Sequence, residues 1–148
     1  MANIVLRSNF RHKKTVWIRL LMVVLYEQNR HFYNMNATIQ QLIEDLNSKN
    51  RLFSDVISFI DRNYEHTPTP FNNGTVVNRA AENQGSAKIL ALGHLNNLTK
   101  EDTLQLFAEH YQTVLERPSG EDHQNIRQFM ENGWRGVTFH GEVLRKRG

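Results

Sequence analysis

The chain has 148 residues, 39% hydrophobic and 22% charged, which suits one domain with a buried core. It contains no cysteine, and this excludes a disulfide scaffold, a thiolate nucleophile and any cysteine-based zinc or iron–sulfur site. The net charge of +3 is unevenly spread: residues 1–34 hold six basic side chains and one acid, residues 35–148 hold 12 basic and 14 acidic, and a basic nucleic-acid groove in the main body is unsupported.

Residues 1–34 join a cationic start to the apolar run Leu20–Tyr26. Arg19 interrupts that run, no small-residue cleavage site follows, and it is far short of the ~20 residues that span a bilayer. The segment reads as a basic, apolar extension: flexible, a peripheral membrane helix, or a helix docking Trp17, Leu20, Leu21 and Val24. Met35-Asn36-Ala37-Thr38 resembles a natural protein start, so the working domain is expected to be 35–148.

Thr38-Ile39-Gln40-Gln41 has the form of a capping box, and Ile39, Leu42, Ile43 and Leu46 follow at helical spacing. A second helix is predicted with a stripe of Leu52, Phe53, Val56, Ile57, Ile60 and Tyr64. Pro68 and Pro70 then forbid helix and confine any strand to an edge, while Asn73-Gly74 signals a turn into a strand at Thr75–Val77. Ser86 is expected to cap a helix through Ile89, Leu90 and Leu95. Thr99, with Asp102 three residues on, caps the clearest helix, whose stripe is Leu104, Phe107, Ala108, Tyr111, Val114 and Leu115. Ser119 is expected to cap the last helix, carrying Ile126, Phe129 and Met130, and Gly133 to stop it. Val137 and Phe139 alternate as a short strand, and Arg145–Gly148 reads as a frayed tail.

Four stretches, Tyr64–Gly74 (YEHTPTPFNNG), Val77–Lys88 (VNRAAENQGSAK), Leu106–Tyr111 (LFAEHY) and Pro118–Gly141 (PSGEDHQNIRQFMENGWRGVTFHG), together resemble the HopJ type III effector protein family over about residues 37–144. The resemblance implies a small, mainly helical domain and carries no established reaction. Gln84 and Ala87 stand where the family often has an acidic residue and a cysteine, so thiol chemistry does not transfer. The basic, apolar start also differs from a flexible, Ser-rich export signal.

The fold class is therefore mainly α, about five helices in a bundle-like domain with a two- or three-stranded β element around 66–77 and 136–140. The polar residues that could line a ligand or partner groove are Glu82, Asn83, Ser86, Lys88, His110, Asp122, His123, Asn125, Arg127 and Trp134. Gly85-Ser86 with Lys88 suits a phosphate, and His123 with Arg127 suits an anion or acidic partner. His110, Asp122 and His123 are a weak metal set, because adjacent residues on a helix do not converge on one ion and Glu109 is expected to face solvent. Trp134 is expected to pack on Phe129 and Phe71. A binding or interaction module is expected, with a small enzyme or metal-binding protein as the alternative. The reading includes no cofactor, a protein partner, a monomer, no nucleic acid and no membrane span. Its compartment is the cytoplasm, or a host cell if the chain is a true effector.

Overall fold

Pro68 and Pro70 divide the segment between the second helix and the Asn-Gly turn into two extended pieces, because proline fixes φ and lacks an amide donor. The computed structural model describes the backbone of residues 3–48 and 50–148, and the side chains of 16–30, 34, 35, 37–48 and 50–148. In it the two pieces become strands β1 (Tyr64–His66) and β2 (Phe71–Asn73). Gly74, at φ 57°, turns the chain into β3 (Val76–Asn78). Strand β4 (Val137–Phe139) lies on the other side of β2, and β5 (Leu144–Lys146) pairs antiparallel with β1.

Two expectations change here. The prolines do not push their strand to an edge: β2 is central in the order β3-β2-β4, since Pro70 sits before the strand and gives its carbonyl to His140 N at 3.0 Å. The tail is not frayed, because burial of Val143 and Leu144 anchors β5, and Arg145 meets Glu65 at 2.7 Å.

The helices are α1 (Asn3–Asn47), α2 (Phe53–Asn63), α3 (Gln84–Leu95), α4 (Lys100–Gln105), α5 (Glu109–Glu116) and α6 (Gln124–Asn132), with a 3-10 turn at Gly133–Gly136. The fold is mainly α with a minor β element. The chain forms one unit up to Gln40 and a second from Gln41 to Gly148. In the first, every described side chain from Val16 to Arg30 is exposed, Trp17, Leu20, Leu21 and Val24 included. In the second, Val56, Phe59, Ile60, Phe71, Leu90, Leu106, Phe107 and Phe129 are among the buried residues.

Several helix boundaries differ from the sequence expectations. Thr38 does not open a helix. No proline or glycine precedes it, so α1 passes through, and its hydroxyl turns back to Asn34 O at 2.9 Å. Ile39, Leu42, Ile43 and Leu46 are buried as the spacing required. In α2, Leu52 is exposed and Phe59 is buried in the stripe, while Tyr64 belongs to β1. Thr99 does cap its helix, accepting from Asp102 N at 3.0 Å. That helix is not continuous. Leu104, Leu106 and Phe107 are all buried, more than one helical stripe can hold, so the chain tightens over 106–108 with i→i+3 bonds and restarts after Ala108 at φ 49°. Leu115 is consequently exposed.

Candidate functional site

Asparagine and histidine tolerate positive φ better than most residues, and the fold uses this at two helix starts. Asn83 (φ 49°, ψ 35°) precedes α3, and His123 (φ 51°, ψ 41°) precedes α6. Ser86 and Ser119 were the expected caps; Ser86 instead lies inside the first turn of α3, and Ser119 in the exposed turn closed by Gly120 N to Arg117 O at 3.0 Å. Ala108, before α5, has φ 49° and ψ −126°, a region that ordinarily belongs to glycine. None of these three residues caps its helix with a side-chain hydrogen bond.

The starts of α2, α3, α5 and α6 meet around a cleft of about 350 Å3 lined by Phe53, Val76, Asn83, Ser86, Phe107, His110, His123, Gln124, Asn125 and Ile126. Gly85 permits the approach of α3 to α2, since a Cβ there would stand 3.2 Å from the Phe53 ring. The His110 and His123 rings have centroids 4.9 Å apart and tilted by 36°, and the Phe53 ring meets His110 edge-on at 4.7 Å. Glu109 is exposed, as expected, and its carboxylate accepts Phe53 N at 2.7 Å at the start of α2.

A buried asparagine network holds the cleft's floor. Asn73 Nδ2 donates to Asn125 O at 2.7 Å, and Asn78 Nδ2 donates to Asn125 Oδ1 at 3.1 Å. Asn78 Oδ1 accepts from Asn125 Nδ2 at 2.9 Å and from Asn83 Nδ2 at 2.7 Å. These bonds tie the β2–β3 hairpin to both positive-φ helix starts, and they draw the Asn83 side chain away from capping α3.

Of the ten residues expected in a groove, Asn83, Ser86, His110, His123 and Asn125 line this cleft. The other five do not. Glu82 accepts Arg79 N at 3.1 Å in an exposed turn, and Lys88 pairs with Asp61 at 2.6 Å. Asp122 is held by Arg127 at 2.8 Å, and that bond keeps its carboxyl below the usual carboxylate range. Arg127 also donates to Asp122 O, Pro118 O and Arg117 O, so it closes the 117–122 loop. Trp134 lies apart: its Nε1 donates to Leu98 O at 3.0 Å and its ring meets Phe129 at 4.8 Å, whereas Phe71 packs on Phe139. Among the described residues no three or more His, Asp or Glu side chains are placed to share a metal ion.

The sequence reading missed Phe53, Phe107, Val76, Gln124 and Ile126. Phe53, Phe107 and Ile126 were assigned to core stripes and Val76 to a strand, and nothing in apolar spacing marks a residue that both packs and lines a cleft.

The family model described as HopJ type III effector protein matches residues 37–144. The chain belongs to the HopJ family. A HopJ-like fold is also seen in the crystal structure of VPA0580, described as a protein of unknown function, which is 43% identical, with a TM-score of 0.67 over 73% of this chain and 92% of that one. No curated protein matches this HopJ chain. The stretches that carried the resemblance contribute Asn83 and Ser86, Phe107 and His110, and His123 to Ile126 to the cleft, and Asn73 to its floor.

Proposed function

We propose that this HopJ protein is a binding module, that residues 35–148 are its working domain, and that its cleft seats an anionic group: a phosphate, a carboxylate, or an acidic side chain of a partner. The observation that supports this most is the meeting of the α3 and α6 starts, neither capped by a side chain, beside the paired His110 and His123 imidazoles. Each helix start carries roughly half a positive charge and free amide donors. The two imidazoles add ring N–H donors, and the Phe53 and Phe107 rings lower the local dielectric.

The same field opposes a cation. The alternative, a small enzyme or metal-binding protein on His110, Asp122 and His123, has the close imidazole pair in its favour, but Arg127 engages Asp122. Delivery into a host cell follows from the family description and is part of the same proposal.

Phosphate titration followed by amide and histidine-ring NMR tests the reading. Gln84, Gly85, Ser86, Gln124 and Asn125 amides should shift together, and His110→Ala or His123→Ala should weaken the response at least threefold. Shifts confined to other residues, or a stronger response of both rings to zinc than to phosphate, would replace it with the alternative.

A further inference from the structure

Helix α1 carries a second surface that the cleft does not use. Val16, Trp17, Ile18, Leu20, Leu21, Met22, Val23, Val24, Leu25 and Tyr26 are all exposed, between 46% and 69%. At 100° per residue, Leu20 and Val24 fall on one side of the helix and Ile18, Met22 and Leu25 on the opposite one. The surface is apolar all round. A two-stranded coiled coil needs a single apolar seam, so a second copy pairing along one side would leave the other side in water. An apolar medium that surrounds the helix meets the requirement.

Charge identifies that medium. Arg7, Arg11, Lys13 and Lys14 precede the apolar stretch, Arg19 lies within it, and the first acidic residue of the chain is Glu27. Four cations just before an exposed apolar helix complement a surface rich in anionic lipid headgroups. Length limits the depth. Val16–Tyr26 is about 16 Å long as a helix, half of the ~30 Å hydrocarbon core, and among the described residues no helix is long and apolar enough to cross a membrane.

We propose that Val16–Tyr26 enters one leaflet of an anionic bilayer, drawn there by the cationic sequence that precedes it, with Arg19 extended toward the headgroups. The segment thereby tethers the HopJ domain to a membrane without spanning it.

Vesicle co-sedimentation of the full chain tests this, with vesicles of phosphatidylcholine alone or with one-third phosphatidylglycerol. The expected result is binding to the anionic vesicles, with tryptophan emission shifted to the blue; Trp17→Phe should abolish the shift while Trp134 remains. Lys13→Gln with Lys14→Gln should weaken binding by roughly fivefold per charge removed. Leu21→Glu with Val24→Glu, both on exposed positions, should weaken it at least tenfold, with helical circular dichroism retained. Equal binding to both vesicle types, no binding to either, or binding unaffected by Leu21→Glu/Val24→Glu would overturn the proposal. So would lipid-free self-association that the Glu pair abolishes, which would assign the surface to a second copy.

Discussion

Replacing Asn78 with alanine tests whether the buried amides, rather than the surrounding hydrophobic residues alone, set the cleft's floor. Asn78 is almost fully buried and takes part in four hydrogen bonds: it donates to Asn125 Oδ1 and Phe71 O, and accepts from Asn125 Nδ2 and Asn83 Nδ2. Asn125 Oδ1 retains Asn73 as a donor at 3.3 Å, but Asn125 Nδ2 is left with no acceptor. A buried donor without a partner costs roughly 1–3 kcal/mol, and each lost net bond adds about 1 kcal/mol. Asn83 is exposed, so water can replace its partner at small cost. The sum is about 3–5 kcal/mol, a large share of the 5–15 kcal/mol typical of a domain. Urea unfolding followed by circular dichroism should show the midpoint falling by about 1.5–3 M at constant slope. A loss below about 1 kcal/mol with the slope unchanged would refute the reasoning and leave the network a passenger of the apolar core.

Arg127→Ala should free the 117–122 loop, seen as at least tenfold faster exchange of the Gly120 amide, and Arg127→Lys should not restore protection, because an ammonium cannot reach the same four oxygens. Bonds from Arg145 to Glu65 and from Arg127 to Asp122 lower both carboxyl pKa values in the folded state. Their stabilising contribution is therefore complete above the unfolded values near 4 and is lost as pH falls through the lower folded ones; Glu65→Gln and Asp122→Asn should flatten that acid limb in chemical denaturation. Burial raises the Tyr64 hydroxyl above 10.0 despite the bond from Asn96, so its contribution disappears as pH rises past 10; ultraviolet titration should show a late-ionising tyrosine that Tyr64→Phe removes. Ala108→Gly should raise stability by about 1 kcal/mol, measured by thermal unfolding, because only glycine adopts φ 49°, ψ −126° without strain.

Spacing along the chain revealed what depends on a single element. Ile39, Leu42, Ile43 and Leu46 showed their burial, Thr99 its cap and Asn73-Gly74 its turn, because each is decided within a few residues. Competition between elements was not legible. Ala108 breaks a well-patterned helix because Leu106 and Phe107 both need the interior, a demand visible only once the interior has a shape. Asn83 reads as an ordinary loop residue until Asn78, brought by the hairpin, claims its amide. The cleft was half legible: His110 and His123 stood out as chemistry-bearing residues, whereas Phe53 and Phe107 looked like ordinary core.

The pairing of β1 with β5 joins residues about 80 positions apart, Glu65 and Arg145 among them. A nascent chain therefore carries β1 with its edge unmet until the 80 positions that separate Glu65 from Arg145 have been made. A stop codon before Val143 would remove β5 and leave β1, with the buried Tyr64, without its partner strand.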